Sequence, residues 1–344
     1  MLCSMKMIYK KLLSTTILLF GFCLVSPVIA DTISRLKKSC DGGDAYRCTK
    51  LGHMYERGDG VKQDYFKAVP LFKKACDGRD ADACADLGAM YCLGHGVRRD
   101  HFKAAPLFKK ACDGNDAFGC GMLGAMYFYG DGVKQDYFKA SPLLKKACDG
   151  NNAFGCSMLG RMYARGDGAK QDYFKSAPLF KKACDGNDAY ACAELGGMYY
   201  FGHGVRQDYF KASPLFKKGC DGNDAFGCAK LGDMYYFGRG VKQDYFKSSP
   251  LFKKACDGND AYACAKLGDM YYSGHGVRQD HFKAISLLKK ACDGNDFVGC
   301  GMLGYMYERG DGVKQNYFKA KALYGKACDL KNELGCKSYA RLNQ

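Results

Sequence analysis

The sequence predicts an all-α solenoid of 36-residue helix-pair repeats that are crosslinked by disulfides. A Cys-x7-Cys phrase recurs every 36 residues from Cys40 to Cys336, and a fixed period of this size is the signature of a repeat array. Within each period the apolar residues follow helical spacing, and capping aspartates and helix-ending glycines recur at equal positions. A unit of this size cannot bury a core alone, so successive units must stack.

The first 30 residues differ from the array and are typical of a secretory signal peptide. Lys6, Lys10 and Lys11 form a basic start, an apolar stretch runs from residue 12 to residue 30, and Val28-Ile29-Ala30 is a suitable cleavage site. A lone membrane anchor is the alternative, and the polar and proline interruptions of the stretch argue against a long span. We expect residues 1–30 to be removed and a secreted or periplasmic protein without a stable membrane span.

Lysines give the chain its charge. It carries 52 Lys and Arg against 36 Asp and Glu, a net charge of +16, and removal of residues 1–30 takes away three lysines and no acid, leaving +13. Because many lysines recur at equal positions, we interpret them as solvated helix faces. The alternative is attraction to acidic surfaces such as anionic lipid headgroups or acidic glycans. Without a base-stacking motif, we expect no nucleic-acid binding.

Two disulfide connectivities fit the period. One joins the second cysteine of each phrase to the first cysteine of the next, as Cys48 to Cys76, and leaves Cys40 and Cys336 without partners at the ends. The other joins the two cysteines within each Cys-x7-Cys and leaves no cysteine of these phrases unpaired. Sequence alone rarely fixes connectivity, but this parity favours the second. Its bridges are Cys40–Cys48, Cys76–Cys84, Cys112–Cys120, Cys148–Cys156, Cys184–Cys192, Cys220–Cys228, Cys256–Cys264, Cys292–Cys300 and Cys328–Cys336. The spacing disfavours zinc, whose knuckles use shorter gaps, and we expect neither a metal nor a cofactor.

Cys92 is the cysteine left over once Cys3 and Cys23 are removed with the signal peptide. It occupies the position held by Phe128 or Tyr200 in other repeats. We interpret it as a half-buried free thiol; an intermolecular bridge or a reactive thiol is the alternative. We expect the protein to be a monomer.

Residues 112–147 illustrate one repeat as a pair of antiparallel helices, helix A near 116–129 and helix B near 137–148. Asp116 and Asp136 are suitable N-caps, and the glycines of 130–132 separate the helices. Phe138, Leu143 and Leu144 supply the apolar side of helix B.

Two residue types inside the helices are unusual. Gly124 recurs in every helix A, and since a helical glycine costs about 1 kcal/mol, we expect close helix–helix approach there. Pro142 falls inside helix B, and because proline removes a hydrogen bond, we expect an irregular first turn. The predicted domains are the signal peptide 1–30, a capping stub 31–43, eight repeats over 44–331 and a capping helix over 332–344.

One face of helix A varies from repeat to repeat, at the positions equivalent to 50, 53 and 57. In solenoids helix A usually lines the concave wall, and aromatic and cationic side chains dominate interface energy. We therefore predict a ligand groove; the alternative is that nothing constrains these positions. The candidate residues are Tyr129, Arg161, Arg165, Phe201, Asp233, Phe237, Tyr305 and Arg309.

The phrases Leu-Gly-x-Met-Tyr, Gly-x-Gly-Val, Asp-x-x-Lys-Ala and Lys-Lys-Ala-Cys resemble the Sel1-like repeat, a relative of the tetratricopeptide repeat. With Cys-x7-Cys in each unit, residues 33–342 resemble the Helicobacter cysteine-rich protein family. The resemblance implies a right-handed α/α superhelix, secretion and a bridge within each Cys-x7-Cys. Members of that family are described as penicillin-binding proteins and weak β-lactam hydrolases, and are discussed as host-interacting proteins.

No catalytic set supports the hydrolase activity in the residues themselves. Ser-Asp-Asn and Lys-Thr-Gly, which serine β-lactamases use, are absent, and Ser-x-x-Lys occurs only at Ser34/Lys37 and Ser286/Lys289, where we interpret it as chance. No two histidines have metal-ligand spacing. Two hypotheses remain: an interaction module for a host or envelope protein, and a protein that binds and slowly hydrolyses a β-lactam or a peptidoglycan-like small ligand.

Overall fold

A computed structural model describes residues 27–343, and within that range every regular element is an α-helix. The described residues form two compact units, which divide between Gln171 and Asp172. The first contains α1 Pro27–Asp41, α2 Ala45–Arg57, α3 Tyr65–Asp77, α4 Ala81–Leu93, α5 His101–Asp113, α6 Ala117–Tyr129, α7 Tyr137–Asp149 and α8 Ala153–Arg165. The second contains α9 Tyr173–Asp185, α10 Ala189–Phe201, α11 Tyr209–Asp221, α12 Ala225–Phe237, α13 Tyr245–Asp257, α14 Ala261–Ser273, α15 His281–Asp293, α16 Phe297–Arg309, α17 Tyr317–Asp329 and α18 Glu333–Arg341.

The even-numbered helices α2 to α16 are the predicted helices A, and the odd-numbered helices α3 to α17 are the helices B. The prediction of helix A near 116–129 and helix B near 137–148 is confirmed by α6 and α7. Within each unit, a helix A packs against its own helix B, and each helix B packs against the next helix A. This alternation is the solenoid that the 36-residue period predicts.

Side-chain caps define where the helices begin and end. Asp116 accepts the backbone N–H of Gly119 at 2.6 Å, and Asp136 accepts that of Lys139 at 3.0 Å. At the end of α6, Gly130 adopts a left-handed conformation with φ 78° and donates to the carbonyl of Met126. These contacts satisfy backbone groups that helix ends otherwise leave unpaired, which confirms both predicted N-caps.

The recurring glycine of helix A allows the two helices of a repeat to touch. A Cβ atom at Gly124 would lie 2.8 Å from the side chain of Leu144, and one at Gly232 would lie 2.9 Å from the ring of Phe252. Both partners belong to helix B of the same repeat and are fully buried. The expected close approach is therefore confirmed.

Nine disulfides crosslink successive repeats in the described residues. Each joins the end of a helix B, or of α1, to the start of the next helix A, or of α18, with Cα atoms 4.4–4.7 Å apart. The predicted pairing within every Cys-x7-Cys is confirmed. Cys92 is also disulfide-bonded, so the prediction of a free thiol is wrong. That prediction depended on removing Cys3 and Cys23 with the signal peptide, which left an odd number of cysteines.

The prolines of helix B do not disturb its first turn. Helix α7 runs without interruption from Tyr137 through Pro142, so the expected irregular turn is wrong. Pro142 lies on the exposed face of the helix, and so does Phe138, whose carbonyl would have accepted the missing hydrogen bond. Water can satisfy that carbonyl, which lowers the cost of the substitution.

The predicted signal peptide lies almost entirely outside the described residues and stays a prediction. Helix α1 begins at Pro27, four residues before the expected mature start at Asp31. No helix between residues 27 and 343 combines the length and the hydropathy that a membrane crossing requires.

Candidate functional site

The variable face of helix A lies largely between neighbouring repeats. Consecutive helices A contact each other within each unit, and the positions equivalent to 50 and 53 are mostly buried or half-buried in this contact. Their residues are complementary across the repeat boundary. Gly197, for example, faces the ring of Phe226, which a Cβ atom would meet at an ordinary contact distance of 3.5 Å. Much of the sequence variation therefore reflects pairwise packing between repeats.

Asp233, a predicted groove residue, is one of these packing residues. It is only 4% exposed, and its carboxylate accepts the hydroxyl of Tyr262 at 2.7 Å and lies 3.5 Å from the ammonium of Lys230. Burial raises the pKa of Asp233, against the opposing effect of Tyr262 and Lys230. The placement of Asp233 in an open groove is therefore wrong, because its oxygen atoms are used inside the structure.

A second buried polar contact joins α2 to α4. The Nε2 atom of His53 lies 2.5 Å from the Asp86 carboxylate and 4.0 Å from that of Asp82. The burial of His53 disfavours its charged form, but the hydrogen bond and charge of Asp86 outweigh burial and raise its pKa. One ligand atom from each of the three residues lies within 4.8 Å of the others, so these are the described residues that could hold a metal ion. His53 occupies the position equivalent to Asp233, which also contacts the following helix A, through Tyr262, and this favours a structural role.

The exposed part of the variable face is its last row, where the helices A end. In the first unit Tyr129 is half-exposed at the end of α6. Arg161 of α8 donates to the Tyr129 hydroxyl at 2.9 Å, and its guanidinium lies 5.3 Å from the ring centre of Phe128. Arg165 is exposed at the end of α8. The structure therefore brings Tyr129 and Arg161 together as a preformed aromatic–cation cluster.

The second unit has a related cluster at the ends of α10 and α12. Phe201 and Phe237 occupy the last residue of these two helices and are about half-exposed, 50% and 46%. The ring centre of Phe237 lies 5.2 Å from the guanidinium of Arg239 and 5.4 Å from the ammonium of Lys266. The sequence placed both phenylalanines and Lys266 on the variable face, but Lys266 was not among the predicted groove residues and Arg239 was missed, because Arg239 lies in the loop after α12.

Tyr305 and Arg309 form a third cluster, on α16. The guanidinium of Arg309 lies 5.4 Å from the Tyr305 ring centre and 3.6 Å from the Asp311 carboxylate. That carboxylate also accepts the hydroxyl of Tyr272 at 3.0 Å. Burial, aided by the bond to Asp311, raises the pKa of Tyr272 to about 12. The tyrosine therefore stays neutral at physiological pH, as a donor that orients Asp311.

A row of exposed phenylalanines was missed by the sequence analysis. Phe138, predicted to lie on the apolar side of helix B, is 81% exposed, so that prediction is wrong. The buried residues of α7 are Ala140, Leu144 and Ala147, whereas Phe138 shares its face with exposed Lys145. The helical period carried this signal, because Phe138 and Lys145 are seven residues apart.

The other sequence candidates for chemistry do not assemble into a catalytic set. Ser34 and Ser286 are exposed, and no described hydrogen bond joins either to a lysine. The histidines of the Gly-His-Gly turns stack on a tyrosine of the preceding helix B, as His95 does on Tyr65 with ring centres 4.5 Å apart. These histidines therefore pack between repeats rather than forming a metal centre.

The fold and its crosslinks define the class: an all-α repeat protein whose helix-pair units are joined by disulfides. The Sel1 repeat model matches residues 48–80, 81–116, 117–152, 153–188, 189–224, 225–260, 261–296 and 298–332. The chain therefore belongs to the Sel1 repeat family, a family of the protein-interaction type.

Several solved structures are similar to this chain. One is c5321, a protective antigen of uropathogenic Escherichia coli strains displaying an SLR fold, with 28% identity over 90% of this chain and 67% of that chain and a TM-score of 0.77. Another is a Sel1 repeat protein from Oxalobacter formigenes, with 30% identity over 71% and 99% and a TM-score of 0.63. Cysteine-rich protein B of Helicobacter pylori is 32% identical over 39% of this chain and 96% of its own, with a TM-score of 0.32. No curated protein sequence matches the chain.

Proposed function

We propose that the chain is an extracytoplasmic interaction module that binds an envelope or host protein through the exposed ends of its helices A. The observation that carries the proposal is the cluster around Phe237, where a half-exposed ring lies against Arg239 and Lys266. Aromatic and arginine side chains supply most of the energy of protein interfaces. Because these side chains are already ordered by one another, they lose little conformational freedom on binding.

The disulfides support an extracytoplasmic location. Nine disulfides in the described residues require an oxidising environment. A secreted or periplasmic location agrees with this requirement and with the expected signal peptide. In that setting the net charge of +13 that remains without residues 1–30 favours an acidic partner surface.

Binding or slow hydrolysis of a β-lactam, which the family resemblance implies, stays a prediction. Ser34 and Ser286, the serines of the two Ser-x-x-Lys phrases, are exposed, and neither has a described hydrogen bond to a lysine that could activate it for acyl transfer. Assay of the oxidised chain with a chromogenic cephalosporin tests it separately from partner binding, since turnover has its own optical signal.

The test of the interaction module uses the full oxidised chain immobilised and exposed to envelope or host-surface proteins. A retained protein is identified, purified and titrated against the wild type and against the double variant Phe201→Ala/Phe237→Ala. We expect the variant to lose at least about tenfold in affinity. The matched control is Ser273→Ala, which changes the same helix position in the next repeat and should bind as the wild type. Equal affinity of the double variant and the wild type would contradict the proposal.

A further inference from the structure

Each unit carries a phenylalanine row, a surface that the helix A clusters do not use. The row consists of the second residue of each helix B: Phe66, Phe102 and Phe138 in the first unit, and Phe174, Phe210, Phe246, Phe282 and Phe318 in the second. These rings are 77–90% exposed, and no described ring or cation packs against any of them. A ring in this position adds little to the stability of the fold, so its recurrence in all eight repeats indicates a contact outside the molecule.

Each described depression along the row has such a ring at its edge. In the second unit, a depression of about 810 Å³ is lined by Phe282, Arg278, Lys283 and Gly312 among others. In the first unit, Phe102, Arg98 and Lys103 line a depression of about 750 Å³. The rings therefore project beside open, partly polar recesses.

The charge around the row is positive in every repeat. Within the residues from Val61 to Lys67, and at the equivalent places, at least two cations accompany at most one acid. The acid, as at Asp64, caps helix B and lies 3.7 Å from the ammonium of the lysine that follows the phenylalanine. The remaining cation forms no ion pair among the described residues; it is Lys62, Arg98, Lys134, Lys170, Arg206, Lys242, Arg278 or Lys314.

The phenylalanine row has the same residue types in every repeat, and this favours some classes of binding partner over others. Specific recognition of a protein requires differences between successive contacts, because identical contacts cannot fix a register. The helices A offer such differences, whereas the row repeats Phe and a cation without change. A uniform row suits a partner that is itself uniform. Of the uniform anionic partners, a lipid bilayer also supplies apolar volume in which exposed rings can be buried.

We propose that the phenylalanine row docks the protein onto a bilayer surface that carries anionic headgroups. The rings insert at the boundary between headgroups and acyl chains, and the cations lie beside the headgroup phosphates. This contact is peripheral and needs no spanning helix. It uses residues of helix B and of the loop that precedes helix B, and it shares no residue with the proposed partner site.

The test measures co-sedimentation of the full oxidised chain with unilamellar vesicles. One set contains equal parts of phosphatidylglycerol and phosphatidylcholine, and the other contains phosphatidylcholine alone. We expect binding to the anionic vesicles only, weakening as salt is raised. The triple variant Phe210→Ser/Phe246→Ser/Phe282→Ser should bind at least about tenfold more weakly, with an unchanged melting temperature because the rings are exposed. The charge variant Arg206→Gln/Lys242→Gln/Arg278→Gln should also bind more weakly and show a smaller salt dependence.

The matched control is Phe201→Ser/Phe237→Ser, which removes exposed rings from helices A and should leave vesicle binding unchanged. Failure of the wild type to sediment with anionic vesicles would overturn the proposal, as would equal binding by the triple phenylalanine variant. Binding to soluble polyglutamate without binding to vesicles would also overturn it and would assign the row to an acidic polypeptide instead.

Discussion

The imidazole of His53 lies 2.5 Å from the carboxylate of Asp86, and the two residues stand on consecutive helices A, α2 and α4. Asp233, at the position equivalent to His53, contacts Tyr262 across the boundary between α12 and α14. Positions that vary along the array are thus paired across the boundary between repeats. The pairs differ in chemistry from one boundary to the next, which helps each helix A to recognise its own neighbour.

The His53–Asp86 pair predicts a pH dependence of stability. Asp86 raises the pKa of His53 above its ordinary value of 6.5 despite burial, with Asp82 also favouring and Arg57 opposing the charged form. A raised folded-state pKa gives stabilisation that is complete below pH 6.5 and is lost as the pH rises through the folded value. The melting temperature of His53→Gln should therefore lie furthest below that of the wild type in acid, and the gap should narrow as pH rises.

The control for this measurement is Ser273→Ala, which removes no titratable group. Its effect on melting should not change with pH across the same range. A His53→Gln deficit that is constant, or that grows toward alkaline pH, would contradict the assignment.

The helix A glycines give a prediction with an internal control. In Gly232→Ala the new Cβ would lie 2.9 Å from the Phe252 ring, and overpacking of this kind costs about 1–3 kcal/mol, which offsets a gain of about 1 kcal/mol in helix propensity. In Gly301→Ala the Cβ meets nothing within 4 Å, so only the gain remains. Urea unfolding should show that Gly301→Ala is stabilised relative to Gly232→Ala; the reverse order would contradict the close approach.

Replacement of an exposed helix B proline by alanine should stabilise the protein. Pro250 lies inside α13, and Pro250→Ala should raise the free energy of unfolding by up to about 3 kcal/mol, because alanine restores a backbone hydrogen bond. The equivalent residue of α15 is Ser286, and Ser286→Ala should change stability by less than about 0.7 kcal/mol. A destabilised Pro250→Ala would indicate that the proline makes a favourable contact.

The crosslinks should stabilise the array locally. Cys220→Ser/Cys228→Ser opens a loop of about nine residues, for which the chain-entropy estimate is about 2.5 kcal/mol. Removal of the terminal bridge by Cys328→Ser/Cys336→Ser should cost less in global unfolding, because α18 can fray without its neighbours. Denaturant unfolding of both variants under oxidising conditions measures the difference, and equal losses would contradict the nearest-neighbour picture.

Most of the fold could be predicted because its determinants are local and repeated. The helix bounds follow from capping residues such as Asp116 and Gly130, and the pairing of the cysteines follows from parity at the array ends. The irregular turn expected at Pro142 was wrong because the sequence does not show whether the carbonyl that loses its hydrogen-bond donor faces water. Cys92 was mispredicted because its pairing depended on an assumed removal of other cysteines.

The candidate site was predictable only in part. Variation along helix A identified Phe201 and Phe237 correctly as exposed, yet placed Asp233 beside them although it is buried. Sequence variation alone does not distinguish a ligand surface from complementary packing between repeats, because both allow the residue at a position to differ from one repeat to the next. The phenylalanine row was overlooked for the opposite reason: Phe138 recurs without change, and a constant apolar residue was interpreted as core.

Covalent links between the end of one repeat and the start of the next hold the array in register. Proteolysis of the unreduced protein followed by mass spectrometry of the linked peptides tests this arrangement directly. In the linked peptides, the nine bridges of the Cys-x7-Cys phrases, from Cys40–Cys48 to Cys328–Cys336, should each join cysteines eight positions apart. Links such as Cys48 to Cys76, or a majority of free thiols, would contradict it.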